Sequence, residues 1–191
     1  MEYRFYGWEQ AECPAVCQSL EGIRTPRDLY DALRKVWCAE TCAPRMRQNW
    51  SPENPTLGQC SITAFLVQDL FGGKVYGIPR EGGKAFHCYN DVDGCVFDLT
   101  SEQFEGEELC YENNPEQFRE VHFAKEEKRQ RYEQLKAALT KKAEDKPIAI
   151  ILDTVKGAGV KAIEDTKLNH HLNVGEEALE YIADLKAKLT E

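Results

Sequence analysis

The chain lacks any long hydrophobic run. Its longest, residues 148–152, is far shorter than the roughly 20 apolar residues that cross a bilayer, so no membrane span and no membrane partner is expected. It also lacks a surplus of positive charge. Against 33 Asp and Glu stand 24 Lys and Arg, for a net charge of -9, which argues against a duplex nucleic-acid binder, normally marked by a basic footprint. The opening residues MEYRFYGWEQ have no charged start, apolar stretch and small-residue cleavage site of the secretory kind. The expectation is a cytoplasmic protein, in which eight cysteines serve as free thiols, ligands or catalysts rather than as a disulfide framework. Internal repeats and low-complexity segments are absent too.

What is present divides unevenly. All eight cysteines and all three tryptophans lie within the first 140 residues, and residues 141–191 have neither. This break predicts a domain over 1–140 and an appendage over 141–191. Thr25 suits a helix N-cap and Pro26 the first helical position. Leu29, Tyr30, Leu33, Val36 and Trp37 then share one face. Asn49, Pro52 and Asn54-Pro55 mark residues 45–55 as a loop. A buried helix is predicted over 60–70, because Ile62, Ala64, Phe65, Leu66, Val67 and Leu70 leave no polar face. Gly72-Gly73 ends it. Strands follow at 74–78, 85–90 and 95–99, the last two joined by an Asp93-Gly94 hairpin turn. A polar helix is predicted over 124–142, then a strand at 148–153, a glycine loop and a helix at 176–189. The fold class is α+β, with N-terminal helices packed on a small antiparallel sheet and a C-terminal strand-loop-helix appendage.

Cys60 has the setting of a nucleophile. It follows Gly58-Gln59 and opens the buried helix, where the positive end of the helix dipole lowers a thiol pKa. The unsatisfied N–H groups of that terminus can receive an oxyanion, and Gln59 can add a side-chain donor. His87, in the strand over 85–90, is the candidate base. Asp98, on the next strand, would fix the imidazole orientation. Taken singly, each has a plainer reading: an inert core cysteine, a structural histidine, an aspartate that caps a turn.

Gly58-Gln59-Cys60, then His87, then Asp98-Leu99-Thr100, resembles the transglutaminase-like core, with Leu99 where that superfamily has proline and Ser61 where it has an aromatic residue. A larger set resembles the bacterial YunG-like family: Asn54-Pro55-Thr56-Leu57-Gly58-Gln59-Cys60, Phe71-Gly72-Gly73, His87-Cys88-Tyr89-Asn90, and Asp98-Leu99-Thr100-Ser101-Glu102-Gln103-Phe104. The resemblance implies a papain/transglutaminase-like fold. The activity to expect is a cysteine-dependent amide hydrolase or acyl transferase acting on a peptide or small amide. The alternatives are a non-catalytic binding module, with Trp37, Trp50 and Tyr89 lining a groove, or a fragment that works with a partner subunit.

The last alternative comes from the tail. Lys146-Pro147-Ile148-Ala149-Ile150-Ile151-Leu152-Asp153 through Gly157-Ala158-Gly159-Val160, with Asn169-His170-His171, resembles the end of the transketolase thiamine-diphosphate domain. That resemblance would give His170 or His171 a place at a substrate and diphosphate site. The earlier parts of such a domain are missing, so no cofactor is expected. A strand there needs a sheet to join, which a second copy of the chain could supply as a homodimer. Cys13 and Cys17, and Cys38 and Cys42, form two C-x3-C pairs that would hold zinc, pair as disulfides, or stand as free thiols. Cys88, Cys95 and Cys110 read as structural, since alternation turns Cys88 away from the face of His87.

Overall fold

A computed structural model describes residues 5–140. The strand at 148–153, the helix at 176–189, His170, His171 and any homodimer contact through the tail fall outside the described residues.

Helix α1 (Pro26–Leu33) starts where proline and its cap place it. The Thr25 hydroxyl accepts from the Asp28 N–H, and Asp28 Oδ2 accepts from the Thr25 N–H at 2.9 Å, which completes a capping box. The helix is shorter than its apolar stripe. After Leu33 the chain tightens into a turn whose Val36 and Trp37 N–H groups both donate to the Leu33 carbonyl. Trp37 still reaches the core, where its indole N–H donates to the Thr63 hydroxyl at 3.3 Å. Residues 45–55 are less irregular than their prolines imply, because Pro44–Asn49 wind into a 3-10 helix.

Helix α2 (Cys60–Phe71) is the centre of the molecule. Ile62, Phe65, Leu66, Val67 and Leu70 are all buried, as a helix apolar on every side must be. It packs on a three-stranded antiparallel sheet of β1 (Lys74–Arg80), β2 (Ala85–Val92) and β3 (Cys95–Phe97), in that order. Asp93 and Gly94 take φ of +51° and +84°, the left-handed pair that a two-residue hairpin needs. β3 stops early. It pairs only with residues 90–92, so Asp98 stands just past the strand and is bridged to Tyr6 instead. The helix expected over 124–142 is preceded by a separate short one, α3 (Arg119–Phe123), before α4 (Glu126–Thr140). α3 is two turns at most and buries mainly His122, too little apolar periodicity to read from sequence. α4 lays Tyr132, Leu135 and Ala138 against the core. The mixed α+β character and small antiparallel sheet agree with expectation.

Among the described residues, no helix is long and apolar enough to cross a membrane.

Candidate functional site

Strand parity determines which side chains meet. Asn90 pairs with Phe97, so Asp98 shares a face with Tyr89 and His87, diagonal to the latter. His87 Nε2 lies 2.5 Å from Asp98 Oδ2, and the two side chains are 2% and 1% exposed. Asp98 is held at both oxygens. Oδ1 accepts from the Thr100 N–H at 2.9 Å and the Thr100 hydroxyl at 3.0 Å, and Oδ2 also accepts from the Tyr111 hydroxyl at 3.0 Å. Tyr111 stacks on Tyr6 at 3.7 Å, and the Asp98 N–H donates to the Tyr6 carbonyl. Phe104 meets the His87 ring edge-on at 4.6 Å.

With Nε2 committed to Asp98, Nδ1 is the other ring nitrogen, and the Gln103 side-chain nitrogen lies 3.5 Å from it. Cys60 meets the imidazole and is half-buried at the first position of α2. Its pKa lies well below the ordinary thiol value. The largest cause is a hydrogen bond from the Cys88 thiol. Burial opposes the shift, and the hydrogen bond and charge of His87 add to it. Burial also works against a charge on His87, but the Asp98 carboxylate and the Cys60 sulfur outweigh it and hold the imidazole up at about 10. The two shifts act together to favour a thiolate beside an imidazolium. Cys88 moves the other way: as donor to Cys60, and through its own burial, its pKa rises.

That contact corrects the structural reading of Cys88. Its side chain does leave the face of His87, but the face it joins is the one α2 covers, and Asn90 beside it donates to the Ala64 carbonyl at 2.9 Å. β3 pairs with β2 only over residues 90–92, so Cys88 lies beyond its end.

Gln59 is fully buried, and its side-chain N–H donates to the Cys38 carbonyl at 3.0 Å, away from the thiol. That bond takes one of the two N–H donors of its amide. The helix terminus itself is open: no side chain caps α2, and the N–H groups of Cys60 and Ser61 have no main-chain acceptor. Gly58, at φ +69°, allows the loop to enter there, and a Cβ on it would stand 2.7 Å from the Cys42 sulfur.

Two supports were illegible in the sequence. Gln103 donates to the Thr100 carbonyl at 2.9 Å and accepts from the Gly58 N–H at 3.4 Å, tying the loop before Cys60 to the loop after Asp98. Arg131, within the polar helix predicted over 124–142, is 4% exposed. It does make the i,i+4 pair with Glu127, but its Nε also donates to the Thr41 carbonyl at 2.8 Å and its Nη2 to the Gly58 carbonyl at 2.7 Å.

Cys60 and Cys88 line a cleft of about 690 Å³ with Met46, Phe86, Phe118 and Val121. Trp37 and Tyr89 line two other, smaller clefts, and the Trp50 indole is held by the Pro55 carbonyl, so the three do not form one groove. Cys13, Cys17, Cys38 and Cys42 are free thiols. Among the described residues, no three His, Cys, Asp or Glu side chains converge as a metal site. Cys38 instead accompanies the Thr41 hydroxyl, and Cys42 packs beside Gly58.

The family described as YunG protein matches residues 25–144, a span that holds Cys60, His87 and Asp98. The uncharacterised protein YunG of Bacillus subtilis (strain 168) is 35% identical over 83 residues, covering 38% of this chain and 70% of the relative. No solved structure matches.

Proposed function

Because the chain belongs to the YunG family, whose Bacillus subtilis relative is described as uncharacterised, its activity is argued from the site, and we propose that it is a cysteine-dependent amide hydrolase or acyl transferase. One observation carries the reading. A buried, hydrogen-bonded His87–Asp98 pair is set against a half-buried free cysteine that lines a cleft. Structural ion pairs are seldom built around an accessible sulfur.

In this reading the Cys60 thiolate attacks the carbonyl carbon of a peptide or small amide. A C–S bond forms and the carbonyl electrons move onto oxygen, where the N–H groups opening α2 receive them. As the C–N bond breaks, the leaving amine takes the proton from His87 Nδ1, and the now neutral imidazole later accepts one from water or an acceptor amine that attacks the thioester. Cys60 departs as thiolate. Asp98 holds the ring by Nε2 throughout. The order of elements, a nucleophile opening a central helix and a base on the packed antiparallel sheet, supports a papain/transglutaminase-like core.

The test is alkylation with iodoacetamide followed by peptide mass spectrometry. At pH 6, Cys60 is expected to react at least about tenfold faster than exposed Cys17 and Cys110, because its thiol pKa is held well below the ordinary value. His87→Ala is expected to erase most of that advantage. A Cys60 that reacts at pH 6 no faster than Cys17 would sink the proposal.

A further inference from the structure

The protein is strongly acidic, yet the cleft over Cys60 is not. Its three carboxylates are already engaged: Glu81 with Arg45, Glu127 with Arg131 at 3.0 Å, and Glu116 with Lys74 at 3.1 Å. Lys84, Lys125 and Lys128 also line the cleft, and none of them has a carboxylate partner among the described residues. Lys84 and Lys125 are exposed. Lys128 is half-buried, and its ammonium donates to His122 Nδ1 at 3.1 Å. His122 is buried and stays neutral, its pKa pressed down to about 3 by burial and then by the surrounding cations, so it can hold Lys128 only as an acceptor. A half-buried cation fixed by a neutral partner carries a desolvation cost that its hydrogen bond does not offset with charge.

Cys88, the neighbouring Glu127 and, more weakly, Cys60 favour the charge on Lys128. Glu127 is already paired with Arg131, so an anionic group on a compound bound in the cleft would give Lys128 a partner of its own. Phe86, Phe118 and Val121, apolar and exposed along the same cleft, suit the remainder of such a molecule.

We propose, building on the acyl-transfer reading, that the substrate carries a carboxylate near its scissile carbonyl, recognised by Lys128 with Lys84 and Lys125 around it. An acidic peptide or an N-acylated amino acid has this chemistry.

Iodoacetate and iodoacetamide test it directly. Both form an S–C bond with release of iodide, and they differ in one negative charge. The ratio of their rates at Cys60 in the folded protein is compared with the ratio at Cys60 in the urea-unfolded chain. The expected ratio is about three- to tenfold higher in the folded protein, against the sign of the net charge. Lys128→Gln is expected to bring it back toward the unfolded value, and Lys128→Arg to keep it. If Lys128→Gln fails to fold, Lys84→Gln with Lys125→Gln, both exposed, is expected to lower the ratio in part. A folded ratio no higher than the unfolded one, with iodoacetamide still fast, overturns the carboxylate and leaves the nucleophile standing. So does a raised ratio that none of these substitutions moves. Slow reaction with both reagents overturns the acyl-transfer reading itself.

Discussion

At the scale of single residues, the thiolate and imidazolium have opposing effects on stability as pH changes. His87, with its folded pKa raised to about 10 from an ordinary 6.5, contributes stability that is present below 6.5 and lost as pH rises toward 10. Cys60, with its folded pKa depressed below an ordinary 9.0, contributes stability that is present above 9 and lost as pH falls through its folded value. Where both shifts operate, the folded state binds more protons at His87 and fewer at Cys60, so the two slopes oppose each other. Cys60→Ser removes one of them and leaves Asp98 to keep His87 protonated. Relative to the wild type, that variant is expected to lose stability from pH 7 to pH 9 at up to about 1.4 kcal/mol per pH unit, read from urea denaturation midpoints. Parallel curves for the two proteins would show that no such ion pair exists. Cys60, His87 and Asp98 were legible in the sequence because helix start and strand parity are local properties. The commitment of Gln59 was not, because its acceptor is a main-chain carbonyl 21 residues away that any side chain at position 38 would present.

At the scale of elements, α2 and the β2–β3 hairpin were readable for related reasons. A run apolar on every side followed by two glycines has little alternative to a buried helix, and Asp-Gly between short apolar runs specifies its own turn. The early end of β3 was not readable, and it leaves Asp98 just past the strand. Whether a strand continues past Phe97 is decided by Tyr6, which bridges Asp98 from more than ninety residues away. α1 offers a contained test. Its capping box is local and half-exposed, so Thr25→Ala is expected to cost about 1 kcal/mol in chemical denaturation, with the alkylation rate of Cys60 unchanged. A cost near zero would mean that α1 is held by burial of Leu29, Tyr30 and Leu33 alone.

At the scale of the whole molecule, the site depends on contacts that join distant parts of the chain. Arg131 fastens the loops carrying Thr41 and Gly58 from the far side of α4. Its planar fork serves both carbonyls at once, which a lysine cannot reproduce. Arg131→Ala strands the Thr41 carbonyl and loosens the entry to Cys60, and both Arg131→Ala and Arg131→Lys are expected to lower stability, the alanine by about 2–4 kcal/mol in guanidinium denaturation. The alanine variant is also expected to slow Cys60 alkylation at pH 6. A loss of under about 0.5 kcal/mol would return Arg131 to the solvated helix face that its sequence context describes.

The same brace has a consequence for how the protein is made. Gly58 and Cys60 leave the ribosome well before His87 and Asp98, and the arginine that fastens their loop follows 73 residues behind Gly58. Until α4 has been synthesised and has docked, Cys60 has neither a settled loop nor a base, and its sulfur behaves as an ordinary thiol, mostly protonated at neutral pH. The lowered thiol pKa therefore arises only once α4 is in place, and the nascent chain carries Cys60 as an ordinary thiol until then.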